Sequence, residues 1–174
     1  MFDWIKQVWD YLWENVFLWF VVTMPNKALV MRLGKPLKVY EAGLHFKLPF
    51  IDQVYEHSLV PTTMPLQSQI FKTLSGDSLI VKLMINYQII DLQTFITEID
   101  DAVDALSDSA QGIAVLYLSQ LTDEELSNIK EINSTLLQKV RLVGDKMGLK
   151  VNRVTITSLG NIISLKLFNE EDTL

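Results

Sequence analysis

Val30-Met31-Arg32-Leu33-Gly34-Lys35, followed closely by Tyr40-Glu41-Ala42-Gly43-Leu44-His45-Phe46-Lys47-Leu48-Pro49-Phe50-Ile51-Asp52, is the stretch that decides the fold. Val30 to Leu33 reads as a short strand, Gly34-Lys35-Pro36 as a turn, and Leu37 to Tyr40 as a second strand. Glu41-Ala42-Gly43 makes another turn, where glycine takes the positive φ that other residues resist. Leu44, Phe46 and Leu48 then alternate with His45 and Lys47, which predicts a half-buried strand with the apolar set inward and His45 on the polar side. Pro49 lacks a donor and stops that strand. The stretch holds no nucleophile, metal cluster or phosphate cradle, so it is scaffold.

Downstream, Val54 to Val60 reads as a strand bounded by Pro61, and Leu66 to Thr73 alternates without a clear buried face. Ser75-Gly76-Asp77 is a hairpin signal ahead of the strongest strand, Leu79 to Ile89. Its odd positions, from Leu79 to Ile89, are apolar or aromatic, against Lys82, Asn86 and Gln88 on the other face. After Asp91 the period changes from two to about 3.6. Asp91 or Asp100 suits a helix start, and Val103, Leu106, Ala110, Ile113, Ala114, Tyr117 and Leu118 share one helical face. Thr122-Asp123-Glu124-Glu125 is a capping box, and the apolar set from Leu126 to Met147 supports a short and a long helix. Gly148 suits the residue after a helix, and Lys150 to Ser158 is a returning strand. The fold class is therefore α+β: an antiparallel sheet, then two main helices and a final strand packed on it.

Upstream, Met1 to Val22 has a different character. Apolar and aromatic residues surround a narrow stripe of Asp3, Gln7, Asp10 and Glu14, and all four tryptophans lie here, at Trp4, Trp9, Trp13 and Trp19. Trp favours the headgroup level of a bilayer, so the segment is expected to be an amphipathic helix in a membrane interface, inserted shallowly or as a re-entrant segment. Its membrane-contacting residues are Trp4, Ile5, Val8, Trp9, Leu12, Trp13, Val16, Phe17, Trp19 and Phe20. A tilted span, or a helix packed on its own domain or on a sister subunit, are the alternatives. The uninterrupted apolar run, Val16 to Val22, is short of the ~20 residues a span requires, and no basic n-region or cleavage site marks a signal peptide. Met24-Pro25-Asn26 is a turn that separates this segment from the body.

The chain has 174 residues, enough for one domain, with 15 Lys and Arg against 21 Asp and Glu for a formal charge of −6. That argues against nucleic acid as a partner and against simple electrostatic capture by anionic lipid. With no cysteine and only His45 and His57, thiolate chemistry is excluded and no cofactor or metal is expected. Asp100-Asp101 and Glu124-Glu125 read as helix caps and solvated faces rather than an acid–base pair. Asn133-Ser134-Thr135 fits a glycosylation sequon but reads as a helix-start cap.

Three blocks together resemble the stomatin, prohibitin and flotillin (SPFH or band 7) family. The first is Val30 to Lys35 with Gly43 to Asp52, whose signature positions are Arg32, Leu33, Gly34, Gly43, Leu44, His45, Phe46, Pro49 and Phe50. Ala42 stands where the family usually has Pro. The second is Asp77 to Asp91, in which Gly76-Asp77 inverts the usual Asp-Gly. The third runs from Thr122 through Gly148 to Ile156. The resemblance covers roughly Thr23 to Leu159, and it leans towards the bacterial branch that regulates membrane proteases.

The resemblance implies a non-enzymatic, membrane-attached scaffold that forms rings or cages and organises or restrains membrane proteins or lipids. It also implies membrane lipid, further copies of the chain and a membrane protease or other client as partners, at the inner or plasma membrane of a bacterium or a comparable membrane. The expected organisation is a membrane segment at 1–22, the SPFH domain at 23–160 and a short tail at 161–174. Family members continue into a coiled coil, whereas Ile163, Leu165 and Leu167 alternate like a strand. That tail is expected either to add to a neighbouring subunit as an assembly strand or to fold back on its own sheet. A small, phage-borne binding module that caps or modulates a host ring or its associated protease is the alternative function.

Overall fold

The computed structural model describes residues 4–7 and 18–161. Residues 4–7 are helical and exposed. The expectations for Val8, Trp9, Leu12, Trp13, Val16 and Phe17, and for the tail residues Ile163, Leu165 and Leu167, lie outside the described residues.

The body is α+β, with antiparallel sheets first, then helices and a closing strand. Its strands are β1 (Trp19–Val22), β2 (Asn26–Arg32), β3 (Lys35–Tyr40), β4 (Gly43–Phe46), β5 (Asp52–Ser58), β6 (Thr62–Pro65), β7 (Gln69–Lys72), β8 (Ser78–Ile89) and β9 (Leu149–Asn161). Its helices are α1 (Leu92–Thr97), α2 (Ala102–Leu118), α3 (Asp123–Leu126) and α4 (Ile129–Lys146).

The N-terminal half holds a β1–β4 ribbon and a β3–β2–β5 sheet. β2 is central because Ala28, Leu29 and Val30 are all buried, as a strand covered on both faces should be. The β2–β3 loop is two residues, Leu33 and Gly34, at φ 51° and 77°, so it is the primed hairpin turn that matches strand twist. The turn therefore lies one residue earlier than the sequence suggests, and Pro36 sits in β3, an edge strand that does not need its missing donor.

In the C-terminal half β8 is the axis: β9 pairs along one side of it, and β6 and β7 share the other. Leu79, Val81, Leu83 and Ile85 face the helices, where they meet Leu106, Ala110, Ala114 and Leu118 of α2 and Ile132, Leu136 and Val140 of α4. Helical spacing of small residues on α2 lets it approach the sheet closely. Asp91 caps α1 by accepting from the Gln93 and Thr94 N–H groups. Asp101, rather than Asp100, caps α2 from a left-handed conformation (φ 48°). Thr122 and Glu125 complete the capping box.

Trp19–Val22 and Asn133 also depart from expectation. Trp19–Val22 is a strand paired with β4, Trp19 opposite Phe46 and Val21 opposite Leu44, so no helix runs through to Val22. A short apolar run has no period of its own to separate strand from helix, and here the partner strand decides. Asn133 is not at a helix start: it lies in the second turn of α4, and its side-chain oxygen accepts the Ile156 N–H of β9 at 3.0 Å.

Candidate functional surface

The β1–β4 ribbon is the feature that the fold itself leaves unexplained. Along β4 the alternation is the reverse of the expected one. His45 turns inward, 5.6 Å from the Phe20 ring and 4.7 Å from the Tyr40 ring, and Phe20 meets Tyr40 edge-on at 5.7 Å. The Glu41 carbonyl accepts from His45 Nε2 at 2.6 Å. These rings hold the ribbon on β3, so the other face must point away.

That outer face is apolar. Trp19 is 52% exposed, Val21 60%, Leu44 68% and Phe46 60%, and the ribbon register puts them side by side. The Trp19 and Phe46 rings stack edge to face at 6.4 Å. Leu48 and Phe50 continue the alternation outward beyond the strand. Of the two ribbon residues expected at a membrane, Trp19 faces outward and Phe20 inward.

The rest of the signature stretch is a clamp that fixes this surface. Arg32 and Asp52 stand directly opposite in the β2–β5 ladder. The guanidinium donates twice, Nε to Asp52 Oδ1 at 2.7 Å and a terminal nitrogen to Oδ2 at 3.0 Å. The Leu48 N–H donates to the same carboxylate at 2.7 Å, and the Leu33 N–H donates to the Ile51 carbonyl at 3.1 Å. Planar two-point pairing is the strong form of this interaction. The Arg32 hydrogen bonds hold the Asp52 carboxyl below the usual carboxylate range, with the Leu48 N–H adding to the effect, and Asp52 in turn raises Arg32. Leu33 and Phe50 are both held at positive φ, 51° and 68°, where bulky residues are uncommon. Both are exposed, 77% and 75%. The clamp thus presents two large apolar side chains outward at one end of the β2–β5 pair.

The remaining singled-out groups have structural partners. His57 packs edge-on against Phe95 of α1 at 5.2 Å. Glu125 is held low in pKa by the Thr122 backbone N–H and hydroxyl, and Asp91 by the Thr94 hydroxyl first and then the N–H groups it caps. Among the described residues no three His, Asp or Glu side chains converge as metal ligands would. Among them, too, no helix is long and apolar enough to cross a membrane. Sequence reasoning found the signature residues but not their division of labour; the signal for it was Arg32 and Asp52 flanking two exposed turns.

Comparison with known proteins agrees with this architecture. An uncharacterized protein of Methanocaldococcus jannaschii is 26% identical over 144 residues, covering 80% of this chain and 70% of that protein. Another, from Methanothermobacter thermautotrophicus, is 27% identical over 132 residues, covering 75% of this chain and 42% of that protein. The modulator of FtsH protease HflC of Escherichia coli K12 is 36% identical over 83 residues, which is 44% of this chain and 25% of that protein. The family model for the SPFH domain / Band 7 family matches residues 20–160, from the ribbon to the end of β9, and the chain belongs to that family.

Proposed function

We propose that this protein is a non-enzymatic, membrane-attached scaffold that docks on a bilayer through the outer face of the β1–β4 ribbon and the Leu33 and Phe50 tips. The observation that carries this reading is the exposed row of Trp19, Val21, Leu44 and Phe46. A contiguous apolar patch of a few hundred Å² is often functional, and a Trp at its margin suits the headgroup region. The four side chains leave on the order of 400 Å² of apolar surface uncovered. Burying half of it at the acyl boundary is worth about 5 kcal/mol at ~25 cal/mol per Å². The ribbon follows directly on the aromatic N-terminal segment, and Trp4, Trp9 and Trp13 would enlarge the same attachment.

The similarity to a modulator of FtsH protease supports a protease client, or another membrane protein, held next to the scaffold. Assembly of many copies would give lateral organisation, and a bacterial inner membrane or a comparable membrane is the setting this reading favours. With a formal charge of −6, attachment rests on apolar area and not on anionic lipid.

Flotation of the full chain with phosphatidylcholine vesicles tests this reading. The wild-type chain floats, equally at 0.05 and 0.5 M salt. The double variant Val21→Glu, Leu44→Glu floats at least ~10-fold less, because two carboxylates replace part of the apolar area. Unchanged flotation of a folded double variant would remove the ribbon from the account.

A further inference from the structure

β9 is 13 residues long and has β8 on one side only. Long open edges recruit other strands unless they are covered. α4 covers most of this one. Arg141 donates from Nε to the Val151 carbonyl at 2.9 Å, Asn133 accepts the Ile156 N–H, and the last turn of α4 lies so near Leu149 that a Cβ on Gly144 would come within 2.9 Å of its carbonyl. No such partner reaches Ser158–Asn161 among the described residues. There the strand stays in the β8 ladder, Gly160 opposite Ile80 and Asn161 opposite Leu79. An open groove lies beside it, walled by Leu79, Leu126 and Leu159 and carrying Asp77 and Asp123.

We infer that the open end of β9, Ser158–Asn161, receives the tail of a second copy of this chain as an added antiparallel strand. The tail continues directly from Asn161 as Ile162-Ile163-Ser164-Leu165-Lys166-Leu167. Its period of two suits a strand with one apolar face, which the leucines of the groove can cover. Pairing of main-chain groups gives affinity, and the alternate side chains give register.

A chain's own tail is poorly placed to do this. Gly160 and Asn161 are committed to the β8 ladder, so a tight return would have to turn at Ile162-Ile163. Two-residue hairpin turns require positive φ, which β-branched residues resist. A second copy needs no turn. In an antiparallel two-fold arrangement each tail lies on the other's open edge, so both edges close together. This pairing rests on the scaffold reading only in taking another copy as the partner.

The chain has no cysteine, so introduced ones report without background. Full-length Leu159→Cys is mixed with each of Ser164→Cys, Leu165→Cys and Lys166→Cys carrying a different tag, then mildly oxidised. Directly opposed strand positions fall within disulfide reach. Efficient mixed dimers for one of the three partners are expected, together with a particle mass in mild detergent that falls on deleting residues 162–174. Lys150→Cys, at the covered end of β9, should give none. A double Leu159→Cys, Leu165→Cys chain that closes at monomer mass would show the tail on its own edge and overturn the inference. So would equal cross-linking at Lys150. Vesicle flotation of the tail-deleted chain separates the two ideas: it floats if the ribbon is the attachment, whatever the tail does.

Discussion

Gly148→Ala should be among the most damaging single-methyl additions to this domain, because that glycine is where α4, β9 and α1 meet. It sits at φ 72°, and a Cβ there would stand 2.4 Å from the Asp91 carbonyl oxygen and 3.0 Å from the Phe95 nitrogen. Both atoms are backbone, and the first already accepts the opening hydrogen bond of α1, from Phe95 at 3.0 Å. The Gly148 carbonyl itself accepts from Ile90 and Asp91 at 3.0 and 3.1 Å. A left-handed alanine costs about 1–2 kcal/mol, and weakening two or three buried backbone bonds adds about 1 kcal/mol each. The sum is roughly 3–5 kcal/mol, a large part of the ~5–15 kcal/mol that holds a typical domain folded. Gly34→Ala isolates the first contribution, since Gly34 has φ 77° but nothing within 4 Å of its Cβ position, so it should cost only about 1–2 kcal/mol. Urea unfolding followed by far-ultraviolet circular dichroism reads both, with a midpoint drop of about 1–3 M for Gly148→Ala. Equal effects of the two substitutions would refute the close-approach argument.

Other outcomes follow from the same contacts. Leu106→Ala, at a fully buried position, should lower stability by about 2–5 kcal/mol in the same assay. Gly112→Ala, on a part of α2 with open space at its Cβ position, should raise it by up to about 1 kcal/mol. Asp52, Asp91 and Glu125 all have carboxyl pKa values lowered by folding. Their stabilisation is present above the unfolded carboxylate range near about pH 4 and is lost as pH falls through their folded values. An acid titration monitored by circular dichroism should therefore show the loss below about pH 4, and a domain equally stable at pH 2 and 7 would contradict it. Arg32→Gln should destabilise more than Asp52→Asn in thermal melts, because it leaves a covered carboxylate without its cation, whereas Arg32 alone still reaches water.

Much of the fold is legible in the sequence. β8 and β9 and the faces of α2 and α4 announce themselves through long, clean periods, and the Thr122 capping box fixes a helix start with four residues. The facing of the ribbon is not legible there, for a physical reason. Alternation in Leu44-His45-Phe46 shows that one face differs from the other, not which face the core takes. That depends on Phe20 and Tyr40, one on a strand from before Met24 and one across a turn, and their rings pull His45 inward. The covering of β9 was equally hidden: Asn133 and Arg141 look like ordinary polar positions on a helix until the strand they serve is beside them. Arg32 and Asp52 were visible as signature residues, but their pairing needs the β2–β5 register.

Trp19 offers the most direct test of membrane docking by the ribbon. With Trp4, Trp9 and Trp13 replaced by Phe, it is the chain's single tryptophan, and its emission can be followed on vesicles whose acyl chains carry bromine at a shallow position. The account predicts a blue shift and strong quenching of Trp19 on binding, both lost in the Val21→Glu, Leu44→Glu background. A vesicle-bound chain whose Trp19 emission stays unshifted and unquenched would contradict it, and would leave the outer face of the ribbon to a protein partner.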